Sequence, residues 1–163
     1  MKNKENHQAP GIAIKKGRLL YSEITIHAPV VRVWQILTAF KSYPDWNPFV
    51  RSLKGIPKVG ARIEVMLQPP GGKPMLFKPK VLCFEENTEL RWIGNLLFPG
   101  IFDGEHVFHL QENPDGSCTF QHYERFRGIV VPILKKMLEQ NTLSGFKLLN
   151  EALKRRSEGH EVQ

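Results

Sequence analysis

The sequence predicts an α+β domain, one antiparallel sheet with helices laid over a single face. Three observations lead there. Short segments alternate apolar and polar residues, two segments carry the spacing of amphipathic helices, and the order is strand, helix, strands, long helix. A sheet with one apolar face must cover it, and the helices are the available cover. With 163 residues, one domain is the default. We expect it over 19–156, between a polar lead-in (1–18) and a short tail (157–163).

The elements follow in order. "LLYSEITIH" alternates, with Leu20, Ser22, Ile24 and Ile26 on one face, and reads as a strand. "APVVRVWQILTAF" reads as a helix. Pro29 suits its first position, and Val30, Val33, Trp34 and Leu37 fall on one stripe. "SYPDWNPFV" then breaks the pattern. Its prolines mark a connection, yet Tyr43, Trp46 and Phe49 are costly to leave in water.

Strands fill the middle of the chain. "ARIEVMLQ" places Ile63, Val65 and Leu67 together. "PMLFKPKVLCF" is strand-like, with Pro79 marking an edge or a bulge. "ELRWIG" pairs Leu90 with Trp92, and "FDGEHVFHL" aligns Phe102, His106, Phe108 and Leu110. After the turn "NPDG", "CTFQHYERFR" aligns Phe120, His122, Glu124 and Phe126. Short turns between adjacent strands predict an antiparallel meander. A helix over 132–156 ends the domain, with Phe146, Leu149, Asn150 and Leu153 on one face.

Composition excludes several classes. No apolar run reaches the length of a membrane span, and "MKNKENHQAPG" has no apolar core of a secretory signal. Cys83 and Cys118 lack metal-type spacing and read as reduced thiols, which predicts a cytoplasmic protein. The net charge is +7, but it is unevenly placed. Residues 1–18 hold five Lys or Arg against one Glu, and 154–163 hold three against two. The body between them has 15 basic and 13 acidic residues. A nucleic-acid surface needs a basic stripe on a folded face, so no nucleic-acid partner is expected.

Phosphate loops, dinucleotide fingerprints and nucleophile elbows are absent, and no cofactor is expected. "EHVFH" has the wrong order for a zinc motif. On a strand, His106 and His109 face opposite ways, so no metal site is expected either. His106, His122 and Glu124 alternate in register with large apolar residues and should point inward. Buried ionisable groups need partners. The trio is a hydrogen-bonded structural set, a polar anchor for a ligand in an apolar cavity, or an acid/base group. Two connections are unusually apolar. "NLLFPGI" carries Leu96, Leu97, Phe98 and Ile101; "GIVVPIL" carries Ile129, Val130 and Val131. They either pack on each other or rim a hydrophobic opening.

"ITIHAPVVRVWQILTAFKSYPDWNPFV" resembles the opening of the START-like, helix-grip (SRPBCC) superfamily. The resemblance is to its polyketide cyclase/dehydrase-like branch. It rests on Ala28, Pro29, Val33, Trp34, Tyr43, Pro44, Trp46, Asn47 and Pro48. "GEHVFHL" is similar to that group's Gly-Glu-His-x-Phe strand, at Gly104, Glu105, His106 and Phe108. "HYERFRG" is similar to its His-x-Glu-x-Phe-x-Gly, at His122, Glu124, Phe126 and Gly128. "GFKLLNEALK" is similar to its last helix, at Gly145, Phe146, Asn150 and Leu153.

The resemblance implies a curved antiparallel sheet of about six or seven strands wrapped around the C-terminal helix. Two short helices follow the first strand. "SYPDWNPFV" becomes the second of these and its exit, with its aromatics packed as a plug between sheet and helix. The superfamily holds carriers, cyclases and chaperone cofactors alike, so function must be argued from the site. The leading expectation is a cavity for a small hydrophobic molecule such as a lipid, polyketide or aromatic metabolite. Its lining would be Ile63, Val65, Leu67, Trp92, His106, Phe108, His122, Glu124 and Phe146. A cyclase or dehydratase using His106, His122 or Glu124 for proton transfer is the alternative. A protein-interaction module with a filled interior is the third. The resemblance also places 95–101 and 128–132 near the cavity entrance. Separately, the basic tails, especially Lys15, Lys16 and Arg18, would add weak attraction to an anionic membrane surface. Nothing in the sequence points to a particular oligomeric state.

Overall fold

Strict alternation carries β1 through Gly17–Ile26, which buries Leu20 and Ile26 and turns Glu23 and Thr25 outward. This and all that follows come from a computed structural model that describes residues 17–96 and 98–159. Residues 1–16, Leu97 and 160–163 lie outside the described residues, and with them most of the expected lead-in, one expected mouth residue and the end of the tail. Gly17 and Arg18, expected in the lead-in, already belong to β1.

Helix α1 (Val30–Thr38) starts after Pro29 and buries Val33, Trp34 and Leu37, the predicted stripe. A single 3-10 turn (Phe40–Ser42) leads into α2 (Tyr43–Trp46), a one-turn helix. The puzzling connection is thus helical, and its polar atoms are satisfied locally. The Tyr43 hydroxyl donates to the Leu37 carbonyl at 2.5 Å. Asn47 ends the turn, its Oδ1 accepting from the backbone N–H groups of Phe49 (3.1 Å) and Val50 (2.8 Å). Tyr43 and Phe49 are fully buried and form the plug, whereas Trp46 is only partly buried and stands edge-on to Tyr43. The expectation of a buried Trp46 is corrected accordingly: α2 is so short that Tyr43 takes its single inward position.

β2 (Val50–Lys54), β3 (Glu64–Leu67) and β4 (Met75–Phe77) form a small antiparallel sheet. β5 (Lys80–Glu85), β6 (Glu89–Leu96), β7 (Phe102–Glu112) and β8 (Cys118–Arg127) form the meander. β1 joins beyond β8, so the large sheet runs β1-β8-β7-β6-β5. Among the described residues the strands number eight, five in the large sheet and three in the small one: Pro79 splits one predicted strand into β4 and β5, and β2 was not anticipated. The segment around Pro79 links the two sheets. Its carbonyl accepts from the Ile63 N–H at 3.0 Å, and Arg62 bridges to Lys80.

The last helical segment begins at Val131 and ends at Ser157, close to the predicted bounds. It is not one α-helix. α3 (Val131–Met137) and α4 (Leu143–Ser157) are joined by a π-helical turn over Leu138–Thr142. α4 packs on β1, β8 and α1, and buries Phe146, Leu149, Asn150 and Leu153 as expected. Gly145 is what lets it seat. A Cβ there would land on the Phe49 ring, which packs edge-on against Phe146 at 5.7 Å.

Candidate functional site

The register of the large sheet makes the site. On its concave face, Leu90, Phe108 and His122 form one cross-strand row, and Trp92, His106 and Glu124 form the next. The row after that is Gly94, Gly104 and Phe126. Two facing glycines leave that row almost without side chains. A cavity of about 360 Å3 opens there. Val65, Leu67 and Phe77 of the small sheet wall it on one side. Leu134, Leu138, Asn141 and Thr142, from α3 and the π-turn, close the other. A π-turn at a cavity wall is a recurrent feature of functional sites. The β3–β4 connection (Pro69, Gly72, Lys73), Met75 at the start of β4 and Leu96 at the end of β6 also line it.

Of the expected lining, Val65, Leu67, Trp92 and Glu124 border this cavity. Ile63, His106, Phe108, His122 and Phe146 do not; they are buried in the packed core behind it. The reason is the Phe146 ring, which stacks on His122 at 3.8 Å between centroids and fills the space over the His122 row. Phe49, Phe102, Phe126 and the π-turn residues were not anticipated as lining. Alternation marks Phe102 and Phe126 as inward, Phe49 lies in the connection that breaks the pattern and the π-turn carries no period, so only tertiary packing decides which residue borders a void.

The inward polar residues form one chain. Asn150 Nδ2 donates to Ser22 Oγ at 3.1 Å, and its Oδ1 stands 2.9 Å from His122 Nδ1. His122 Nε2 is 2.8 Å from His106 Nε2. His106 Nδ1 is 3.3 Å from Glu124 Oε2, though its direction makes no hydrogen bond. The histidines are fully buried, while Glu124 borders the cavity. Burial and the neighbouring His106 hold the His122 imidazole well below its ordinary pKa of 6.5, so it is neutral. Gly104 makes room for the carboxylate, because a Cβ there would sit 2.5 Å from Glu124 Oε1. Sequence reasoning placed Asn150 on the buried stripe without its partner. An Asn among Phe146, Leu149 and Leu153 was the available signal that one was needed.

No metal fits within the trio. Two Zn–N bonds at the tetrahedral angle set their nitrogens about 3.4 Å apart, whereas the two Nε2 atoms stand 2.8 Å apart, in direct hydrogen-bond contact. Among the described residues no group of three His, Cys, Asp or Glu could hold an ion. Cys83 and Cys118 are free thiols, and burial pushes Cys118 up to about 11, which keeps it protonated.

The two apolar connections lie side by side. Ile129 N–H donates to the Gly100 carbonyl and Val130 N–H to that of Ile101, both at 3.2 Å. Gly128 permits this, since its φ is +128° and a side chain there would strike the Ile101 carbonyl. Phe98 and Ile129 are 70% and 77% exposed, and Leu96 is exposed while bordering the cavity. Val131 is buried, and Ile101 and Val130 are half-buried. Among the described residues no helix is long and apolar enough to cross a membrane.

Residues 19–158 match the family described as polyketide cyclase/dehydrase and lipid transport. The di-domain ARO/CYC StfQ from the steffimycin biosynthetic pathway shares the fold at 12% identity and a TM-score of 0.68. The match covers 86% of this chain and 51% of that one, so this chain spans about half the length of StfQ. A START superfamily protein from Mycobacterium smegmatis shares it at 17% identity and 0.66, over 88% and 99% of the two chains. A norcoclaurine synthase point mutant from Thalictrum flavum does so at 16% and 0.66, over 90% and 97%. A comparison with curated proteins gives no match. The fold, the register of its motifs and the match over most of the sequence agree: the chain belongs to the polyketide cyclase/dehydrase and lipid transport family and has the helix-grip fold.

Proposed function

We propose that the protein binds a small hydrophobic molecule (a lipid, a polyketide or an aromatic metabolite) in the cavity beside Gly94 and Gly104. The observation that carries this reading is an apolar void of about 360 Å3 that holds one buried carboxylate, Glu124. Pockets for small molecules have this composition, with apolar walls for affinity and few polar groups for orientation, and volumes of about 300–1,000 Å3. A void also argues against a pure interaction module, which would have a filled interior. The exposed Phe98 and Ile129, near the cavity-lining Leu96, support delivery of a poorly soluble ligand from a membrane surface. Native mass spectrometry of the purified protein tests the reading. A co-purified small molecule released by mild organic solvent is expected. A bare chain that also takes up no added hydrophobic compound refutes it.

A second reading has its own support. Glu124 borders the cavity with His106 3.3 Å behind it, a pairing suited to moving a proton on a bound ligand. The solved structures that share the fold include the ARO/CYC StfQ and a norcoclaurine synthase. A cyclase or dehydratase activity would rest on the same cavity and on the Glu124 carboxylate.

A further inference from the structure

The polar chain behind the cavity fixes where its protons sit. Asn150 spends its amide N–H on Ser22, so its oxygen faces His122 Nδ1. Amide and carbonyl oxygens only accept, so His122 Nδ1 carries the proton and donates. His122 is neutral, and its Nε2 therefore presents a lone pair. His106 Nε2, 2.8 Å away, must donate to it. That leaves His106 Nδ1, buried and without a hydrogen bond, facing the Glu124 carboxylate at 3.3 Å.

We propose that Glu124 is the polar anchor of the cavity, backed by a His106 ring that His122 and Asn150 hold with its Nδ1 toward the carboxylate, and that this anchor makes the cavity select neutral apolar ligands bearing a hydroxyl or phenol over organic carboxylates. The inference rests on the cavity-binding reading above. A hydroxyl donates to the Glu124 carboxylate and completes a site that the protein leaves unfinished. A carboxylate ligand brings a negative charge beside Glu124 in an apolar void. Two cations stand near the site. Arg18, diagonal to Glu124 on β1, is paired with Glu139 of the π-turn. Lys73 lines the cavity from the β3–β4 connection, where its exposure leaves its charge screened by water. Trp92 and Phe146 face His106 from β6 and α4, and neither titrates. Asn150 and His122 are positioning residues, which set the His106 tautomer without touching the ligand.

Three probes with one ring system separate the claims: naphthalene, 1-naphthol and 1-naphthoate, titrated into the full chain at pH 7 by calorimetry. We expect naphthol to bind about tenfold tighter than naphthalene, and naphthoate at least about tenfold weaker than naphthol. In Glu124→Leu the naphthol-to-naphthalene ratio falls to about one. In Glu124→Gln, which keeps the shape and offers an amide N–H, the penalty on naphthoate shrinks. Nitrogen-15 spectra of the histidines should show His122 protonated on Nδ1 and His106 on Nε2, with both signals moved by Asn150→Leu. A structural role for Asn150 alone would leave those ring signals in place. Naphthalene binding with no advantage for naphthol, naphthoate binding as well as naphthol, or a His122 protonated on Nε2 each overturns the proposal. Failure of all three probes to bind refutes the cavity reading itself, and this inference with it.

Discussion

The Nε2 atoms of His106 and His122 stand 2.8 Å apart in the packed core, so the two rings share one proton between those atoms. His122 is held neutral in the folded chain by burial and by His106, while in the unfolded chain it titrates near 6.5. Below that pH the unfolded state binds more protons, and stability falls as pH falls. The slope from this group reaches about 1.4 kcal/mol per pH unit. It begins near 6.5, above the range where Glu89 and Glu158, whose pKa values are lowered from 4.5, contribute their own acid loss. Urea unfolding between pH 7.5 and 5.5 measures it. His122→Phe should flatten the slope, and an unchanged slope would show that His122 is not the group responsible.

Gly145 and Phe49 hold the plug against α4, and they should behave as a coupled pair. Gly145→Ala puts a methyl on the Phe49 ring and should cost about 1–3 kcal/mol by overpacking. Adding Phe49→Leu should return part of that cost, giving a coupling energy above about 0.5 kcal/mol. Strictly additive losses in a double-mutant cycle would mean the two sites do not touch.

Within "SYPDWNPFV" the order of importance is Tyr43 before Trp46. Tyr43→Ala removes a fully buried ring and its bond to Leu37, and should cost about 3–5 kcal/mol. Trp46→Ala removes a partly buried ring and a 3.2 Å hydrogen bond to Ser42, and should cost about 1–2 kcal/mol. Chemical denaturation of both variants checks the order, and a larger loss at Trp46 would contradict it.

The exposed rim should matter for exchange and not for folding. Phe98→Ser combined with Ile129→Ser should weaken association with vesicles containing anionic lipid, while thermal stability changes by no more than about 2 °C. A collapse in stability would assign these loops to the core, and undiminished association would remove the rim from the account.

Much of the fold was readable because it rests on two periodicities. Leu20 and Ile26 on β1, the stripe of α1, and Phe120 to Phe126 on β8 all face where alternation or helical spacing places them. Pro79 was readable as an interruption, but not as the boundary between two sheets, which depends on its carbonyl bonding to Ile63. The π-turn left no periodic mark, since five residues with one buried side chain resemble a frayed helix. The site was harder. Inward orientation of His106, His122 and Glu124 followed from register, yet only Glu124 reaches the cavity. Which core residues border a void depends on where side chains are missing. Gly94 and Gly104 are adjacent only through strand pairing, which a single chain read in order does not display.

The central claim is that the space beside those glycines is a binding site, and one titration tests it most directly. 1-Naphthol is titrated by calorimetry into the wild-type chain and into Gly94→Leu, whose new side chain would enter the cavity. The nearest atom to a Cβ at Gly94 is Pro79 Cβ at 3.8 Å, so the backbone tolerates the change. The account predicts one naphthol per wild-type chain with a Kd in the range of about 1–100 μM, weakened at least about tenfold in Gly94→Leu. No binding to the wild-type chain, or equal binding to both, would contradict it.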